Sequence, residues 1–87
     1  MRIRVKFLAT YRALFSGRER DVEVVAEATV GDLLDVLCDT PERRKELFAG
    51  DALRPHVVVL RNGSPAVLGA LLSPGDTLAV FPFITGG

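Results

Sequence analysis

The apolar residues in the first part of the chain repeat with two different periods, and this change limits the folds that the chain can adopt. Residues 2 to 8 begin as a strict alternation of basic and apolar side chains, Arg-Ile-Arg-Val-Lys-Phe, which predicts a half-buried strand. A second alternation covers residues 21 to 27, with Val22, Val24 and Ala26 on one side and acidic residues on the other. Because both predicted strands have one polar face, their apolar faces need a common cover.

The cover is predicted to be an α-helix that starts at residue 30. Its apolar stripe repeats at i, i+3, i+4, i+7 and i+8 and comprises Val30, Leu33, Leu34, Leu37 and Cys38. Thr29 followed by Asp32 resembles a capping box at the start of this helix. A second, mostly charged helix is predicted to begin at Thr40 and Pro41 and to stop at Gly50.

The second half of the chain predicts two further strands and the turns between them. Residues 57–60 form a continuous apolar run, as is typical of a strand covered on both faces. Asn62-Gly63 predicts a tight turn, and Ser64-Pro65 is predicted to extend the loop. Another turn is predicted at residues 73–76, and the last strand at residues 77–83.

The order of these elements predicts an α+β fold. Between the first two strands, Thr10 is placed to cap a short helical turn and Gly17 to close it. A mixed sheet of four to five strands packed on one main helix accounts for the whole pattern. We expect one domain over residues 1–87, with a flexible tail at residues 84–87.

Composition excludes several classes of function. The 87 residues carry 11 basic and 11 acidic side chains, so the basic surplus of a nucleic-acid or membrane-surface protein is missing. Cys38 is the only cysteine and His56 the only histidine, which excludes an intramolecular disulfide and a metal site built from these residues. The amino terminus lacks the apolar core of a signal peptide, and no apolar run approaches the roughly 18 residues of a membrane span. We therefore expect a cytoplasmic protein.

No catalytic motif is found in the sequence. There is no P-loop, GxGxxG, HExxH or nucleophile elbow. Cys38 lies on the apolar stripe of the main helix, where a small buried hydrophobe is the ordinary interpretation. His56 is predicted at a strand edge without a catalytic partner. The basic run at residues 43–45, flanked by Glu42 and Glu46, is interpreted as a solvated helix face rather than an anion site.

The end of the chain is the remaining unusual feature. Residues 81–87, Phe-Pro-Phe-Ile-Thr-Gly-Gly, are apolar up to Ile84 and then uncharged and sterically bare. Four extended residues reach about 13 Å beyond the last strand. Such a tail suits delivery of the Gly87 carboxylate into another protein's active site. A carboxylate must first be activated, for instance as an acyl-adenylate, and nothing in the sequence predicts ATP binding, so a partner is needed.

These residues resemble the small subunit family of molybdopterin synthase. The similarity covers nearly the whole chain: Val-Lys-Phe-Leu-Ala in the first strand, then Tyr-Arg-Ala-Leu, Thr-Val-Gly-Asp-Leu-Leu and Arg-Asn-Gly. Its most specific part is the ending Pro-Gly-Asp-Thr-Leu-Ala-Val-Phe-Pro-Phe-Ile-Thr-Gly-Gly, in which Phe83 replaces the family's second proline. The resemblance implies a β-grasp (ubiquitin-like) sulfur carrier that is the non-catalytic subunit of its enzyme.

The resemblance also implies a reaction cycle and two kinds of partner. An E1-like enzyme would adenylate the carboxylate of Gly87 with Mg-ATP, and a sulfur donor would convert it to a thiocarboxylate. The large subunit of molybdopterin synthase would then bind the tail and accept the sulfur for the pterin precursor. No cofactor would be bound by this chain itself.

The resemblance assigns the site as follows. Gly87 carries the sulfur and Gly86 gives clearance. The segment that docks in the partners comprises Phe81, Pro82, Phe83, Ile84 and Thr85. Phe81 matches the family's interface aromatic, with a place in the core as the alternative, and Leu8 and Arg12 are further candidates beside it.

Three alternatives remain at this point. The carrier could serve another pathway, such as thiamine, cysteine or tRNA thiolation, since the tail would serve any E1-like partner. It could be a protein modifier whose Gly87 is joined to lysines by isopeptide bonds. It could also be a β-grasp interaction module whose terminal glycines have no function.

Overall fold

Within residues 1–83, five of the seven strands form one mixed sheet, and the other two form a small hairpin. The computed structural model describes residues 1–83. In chain order the elements are β1 (Arg2–Phe7), α1 (Tyr11–Leu14), β2 (Glu19–Glu23), α2 (Val30–Leu37), α3 (Pro41–Leu47), β3 (Phe48–Ala49), β4 (Ala52–Leu53), β5 (Val57–Arg61), β6 (Ser64–Pro65) and β7 (Thr77–Pro82). The tail predicted at residues 84–87 lies outside the described residues.

The strand order of the large sheet is β2-β1-β7-β5-β6. The first and last strands, β1 and β7, lie side by side and run parallel, with Val5 opposite Leu78. The β1–β2 and β5–β7 pairs are antiparallel. This mixed sheet with its main helix is a β-grasp, ubiquitin-like fold, and the predicted α+β architecture is confirmed.

One face of the sheet forms the core together with α2. The alternation in β1 buries every second side chain, and the largest fully buried side chains are Tyr11, Phe7, Ile3, Leu33, Leu34, Leu37, Leu47, Leu78, Val5, Val30 and Val80. The predicted capping box is present, because Thr29 Oγ1 accepts from the Asp32 amide at 3.1 Å and an Asp32 carboxylate oxygen accepts from the Thr29 amide at 2.9 Å. The helix boundary and its buried stripe are therefore as predicted. No helix within residues 1–83 is long and apolar enough to cross a membrane.

The first connection differs in detail from the prediction. The side chain of Thr10 makes no capping hydrogen bond to α1. Ser16, at φ +61°, takes the left-handed conformation expected of Gly17, and the Gly17 amide donates to the Arg12 carbonyl at 2.8 Å. The second strand is also displaced, because it spans 19–23 and Ala26 is exposed in the turn before α2.

The prediction that Gly50 stops the second helix is wrong. Helix α3 ends at Leu47, and Phe48 is already extended at φ −119° and ψ 145°. Gly50, at φ +62°, instead lies in the turn of the β3–β4 hairpin, where its lack of a Cβ permits the left-handed conformation. The Phe48 side chain is buried in the core. Because this packing requires an extended backbone at Phe48, the hairpin begins at this residue.

Strand β5 is covered on one face only, contrary to the prediction. Val57 and Val59 are buried, whereas Val58 and Leu60 are half-buried on the opposite face. The Asn62-Gly63 turn forms as predicted, with φ values of +51° and +86°. The prediction that Ser64 and Pro65 extend the loop is wrong, because the turn closes within two residues and they pair with β5 as the short strand β6. The sheet therefore keeps a partly exposed apolar face.

Arg43, the first residue of the basic run 43–45, is fixed by contacts within the domain. The Arg43 side chain is 16% exposed, and its Nε donates to the Leu14 carbonyl at 2.9 Å. Its guanidinium lies 5.5 Å from the centre of the Phe15 ring and pairs with Asp39. Hydrogen bonding by Arg43, the main cause, lowers the pKa of the Asp39 carboxyl. The predicted solvated face is therefore wrong for Arg43, which joins α1 to α3.

We expect Arg43→Ala to lower the free energy of unfolding by about 1.5–3 kcal/mol, since it removes a charged hydrogen bond to a half-buried carbonyl. Urea unfolding followed by circular dichroism measures the change. The matched control is Arg18→Ala, which removes an exposed arginine and should stay within about 0.5 kcal/mol. Equal effects of both substitutions would contradict the assigned role of Arg43.

Candidate functional site

The face of the sheet that turns away from α2 carries a patch of partly exposed apolar side chains. Register places Val58 opposite Phe81 and Leu60 opposite Ala79. The residue after β1, Leu8, donates its amide to the Val80 carbonyl at 3.3 Å, and so continues the parallel register beside β7. We call this patch the sheet face; it comprises Leu8, Val58, Leu60, Ala79 and Phe81.

The position of Phe81 decides between the two interpretations of this residue. Leu78 and Val80, which lie in the same strand and point toward α2, are fully buried. Phe81 itself is half-buried and lies on the outer side of β7, opposite Val58. The alternative that placed Phe81 in the core is therefore wrong, because the two-residue period of the strand turns it away from α2.

The structure brings Leu8 and Arg12 close to the end of β7. Leu8 is 37% exposed. Arg12 is exposed on α1, and its Nε donates to the Phe7 carbonyl at 3.2 Å. This bond holds the positive charge of Arg12 next to the end of β1, beside Leu8 of the sheet face.

Strand β7 leads from the sheet face to the predicted tail. Pro82 is half-buried opposite Val57, and the Phe83 amide donates to the His56 carbonyl at 2.6 Å. The Phe83 side chain is 61% exposed. The other predicted tail residues, Ile84, Thr85, Gly86 and Gly87, lie outside the described residues.

His56, whose carbonyl contacts Phe83, also belongs to a polar cluster that the sequence did not predict. Glu46 Oε2 accepts from Tyr11 Oη at 2.9 Å and lies 2.6 Å from His56 Nε2. Tyr11 is almost fully buried, and its burial, together with the bond to Glu46, raises its pKa. The bond to His56 is the main cause that lowers the pKa of Glu46, and the bond from Tyr11 acts in the same direction. The cluster joins α1, α3 and the residue before β5.

We expect Glu46 to make the domain sensitive to acid. Because its pKa is lower in the folded than in the unfolded chain, its contribution to stability is complete above the unfolded value of about 4.3. It is lost as the pH falls through the folded value. Glu46→Gln should therefore show a shallower loss of stability than the unchanged protein between about pH 5 and pH 3, measured by urea unfolding at each pH. The control Glu42→Gln, on the same helix, should keep the steeper dependence; a steep dependence in Glu46→Gln would contradict the assignment.

Cys38 is a structural residue, as predicted. It is 7% exposed, and burial is the main cause that raises its pKa to about 11. Its sulfur contacts the Arg43 carbonyl at 3.7 Å, whereas His56 is paired with Glu46. Within residues 1–83 the cysteine and the histidine thus have separate partners. The thiol stays protonated at neutral pH and is a poor nucleophile.

Arg44 and Lys45, the other two residues of the basic run 43–45, differ in whether they pair with an acidic group. Arg44 pairs with Asp35 at 2.7 Å, and its guanidinium lies 5.1 Å from the centre of the Phe48 ring. Lys45 is exposed and has no ion pair within residues 1–83. Because Arg43 and Arg44 are engaged inside the domain, the run does not form an anion site.

Comparison with known proteins identifies the family. The model of the ThiS family matches residues 5–87. The small archaeal modifier protein 1 of Haloferax volcanii is 40% identical over 84 residues, which cover 94% of this chain and 97% of that protein. The crystal structure of SAMP1 from Haloferax volcanii has a TM-score of 0.87 and 35% identity, and covers 100% of both chains. A putative molybdopterin converting factor, subunit 1, from Pyrococcus furiosus has a TM-score of 0.78 and 28% identity, over 97% of this chain and 99% of that one.

The family match includes both terminal glycines, so the predicted relation to ubiquitin-like sulfur carriers is confirmed at the level of the family. The similar chains include modifiers as well as the putative converting-factor subunit. The chain therefore belongs to the ThiS family of ubiquitin-like sulfur carriers and protein modifiers.

Proposed function

We propose that the carboxyl group of Gly87 is adenylated by an E1-like enzyme and then converted to a thiocarboxylate that donates its sulfur. The observation that carries this proposal is the course of β7, which runs from the apolar sheet face at Phe81 directly into the terminal segment. The family match through Gly87 supports the same role. Gly86 would provide clearance for the carboxyl group in a narrow active site.

The chemistry requires a partner because a carboxylate is a poor electrophile. Attack of the carboxylate on the α-phosphate of Mg-ATP forms a mixed anhydride and releases pyrophosphate. Hydrosulfide released by the sulfur donor then attacks the acyl carbon, the carbon–sulfur bond forms, and AMP leaves, which gives the thiocarboxylate. Mg-ATP belongs to the activating enzyme in this proposal, and the chain binds no cofactor. Because the reaction consumes ATP, we place it in the cytoplasm.

The sheet face is the docking surface in this proposal. Phe81 and Leu8 supply apolar contact area beside the end of β7, and Arg12 adds a positive charge at the edge. Partner interfaces typically combine an apolar centre containing aromatic residues with a polar rim. The segment after Phe81, comprising Pro82, Phe83, Ile84 and Thr85, would then enter the partner's groove.

We propose molybdopterin formation as the pathway, with the large subunit of molybdopterin synthase as the sulfur acceptor. The resemblance in the closing segment and the similarity to the putative converting-factor subunit support this choice. Protein modification is the second candidate, supported by the small archaeal modifier proteins. Both candidates share the activation of Gly87 and differ in the group that attacks it.

Intact-mass measurement tests the shared step. The chain is incubated with an E1-like enzyme, Mg-ATP and a sulfur donor, and a parallel sample lacks ATP. We expect a mass gain equal to the replacement of one oxygen by sulfur, located at Gly87 by fragmentation, only in the complete mixture. The absence of any gain, under conditions that load another carrier with the same enzymes, would contradict the proposal.

The fate of the loaded chain separates the two candidates. Addition of a molybdopterin synthase large subunit and the pterin precursor should return the chain to its carboxylate form as molybdopterin appears. Conjugates that survive denaturing gels and disappear on removal of Gly87, without molybdopterin formation, would instead support protein modification.

A further inference from the structure

The last hydrogen bond made by the backbone of β7 depends on a residue outside that strand. The Phe83 amide donates to the His56 carbonyl at 2.6 Å. The residue before it, Pro82, has no amide hydrogen and cannot donate to the neighbouring strand. Within residues 1–83, Phe83 therefore supplies the only amide donor after Phe81. The position of the His56 carbonyl decides where the chain leaves the sheet.

The backbone at His56 belongs to a tight turn before β5. The Val57 amide donates to the Arg54 carbonyl at 3.0 Å, which closes a turn over residues 54–57. Pro55 occupies the second position, which its fixed φ favours. His56 is the third residue, so the turn does not use its carbonyl. Because a four-residue turn can adopt several backbone types, the turn bond alone does not fix the orientation of this residue.

The side chain of His56 supplies an additional restraint. Its Nε2 lies 2.6 Å from Glu46 Oε2, and the same oxygen accepts from Tyr11 Oη at 2.9 Å. The bond to His56 is the main cause that lowers the pKa of Glu46, so the carboxylate is ionised at neutral pH and accepts a hydrogen from Nε2. The side chains of His56 and Glu46 are 43% and 39% exposed, whereas Tyr11 is 2% exposed. The chain of hydrogen bonds therefore starts in the core and ends at the turn.

We propose that Glu46 and His56 are positioning residues for the end of β7. Glu46 holds the His56 imidazole, the imidazole fixes the turn, and the His56 carbonyl then receives the Phe83 amide. The consequence for the reaction rests on the proposed function. A segment whose first residue is already ordered loses less conformational entropy when it enters a partner. His56 therefore strengthens binding of the chain to the activating enzyme and takes no part in the chemical step.

Amide hydrogen exchange at Phe83, followed by NMR at one pH, tests the positioning role directly. His56→Ala removes the imidazole and keeps the backbone carbonyl. Because residue 56 is remote in sequence from Phe83, the intrinsic exchange rate of the Phe83 amide stays the same. We expect exchange at Phe83 to become faster by about fivefold or more, the effect of losing one typical hydrogen bond, while exchange at Val80 is unchanged. Glu46→Ala, which removes the other half of the pair, should have the same effect.

Two control variants separate positioning from a general loss of stability. In His56→Gln the side-chain amide nitrogen can donate to Glu46, so exchange at Phe83 should return to the rate of the unchanged protein. Val22→Ala removes a buried side chain from β2, which β1 and β7 separate from β5. It lowers the free energy of unfolding but should not change exchange at Phe83. Faster exchange in Val22→Ala, no recovery in His56→Gln, or no effect of His56→Ala would overturn the proposal.

The kinetics of sulfur loading by the E1-like enzyme test the consequence for the reaction. We expect His56→Ala to raise KM for the chain by about fivefold, the cost of ordering one more residue on binding. The kcat should be unchanged, and His56→Gln should restore KM. An unchanged KM, or a fall in kcat alone, would overturn the positioning role in the reaction. If the unchanged protein is not loaded, the proposed function fails, and the exchange rates still decide whether Glu46 and His56 hold Phe83.

Discussion

Deletion of Gly87 is expected to abolish sulfur loading and to leave the free energy of unfolding unchanged. The deletion moves the terminal carboxyl group back by one residue, about 3.3 Å. The carboxyl group then no longer reaches the α-phosphate of the nucleotide in the activating enzyme. Within residues 1–83 the last buried core residue is Val80, so no described core contact involves this glycine. Intact mass after the complete loading reaction and urea unfolding measure the two effects.

Two further variants test whether the position of the terminal carboxyl group determines loading. An alanine added after Gly87 should abolish loading as completely as the deletion, because it places the carboxyl group too far along. The matched control is Gly69→Ala, since a Cβ at Gly69 meets nothing within 4 Å; this variant should load normally. Sulfur on the shortened or the extended chain would show that the position of the terminal carboxyl group does not matter.

Phe81→Ala is expected to weaken binding to the E1-like enzyme by about 2 kcal/mol or more, the loss typical of a central aromatic in an interface. This corresponds to a dissociation constant higher by about 30-fold. Phe81 is half-buried between its neighbours on the sheet face, so the substitution removes contact area from the partner rather than from the core. Isothermal titration calorimetry gives the dissociation constant, and urea unfolding checks the fold.

The control for Phe81 lies on the opposite side of the domain. Val36, on the outer side of α2, is 47% exposed, and Val36→Ala removes exposed apolar area away from the sheet face. It should change the dissociation constant by less than about twofold, since a single peripheral side chain contributes little. If Val36→Ala weakened binding as much as Phe81→Ala, α2 rather than the sheet would face the partner.

Local patterns predicted most of the elements correctly. The stripe of α2 and its capping box, the Asn62-Gly63 turn and the alternation of β1 each depend on residues within a few positions of one another. The errors occurred where packing overrode a local signal. Gly50 resembled a helix stop, but burial of Phe48 ends α3 earlier and moves the glycine into a hairpin turn.

The same distinction applies to the site. The terminal glycines, Phe81, Leu8 and Arg12 could be proposed from the sequence because a resemblance covers them. The partner of His56 could not be predicted, since Glu46 and Tyr11 lie 10 and 35 residues from their contacts. No periodicity links residues on α1 and α3 with the residue before β5.

The sequence by itself therefore determined the kinds of element, their order and the chemical character of the terminal segment, because chain geometry and side-chain periodicity act locally. Only the tertiary structure decided that Phe81 points outward from β7 and that His56 pairs with Glu46 beside Tyr11. These relations depend on the parallel pairing of β1 with β7, which are the first and last strands within residues 1–83, and on the packing of α3 beside His56. Contacts of that range are set by burial of the whole core rather than by any single segment.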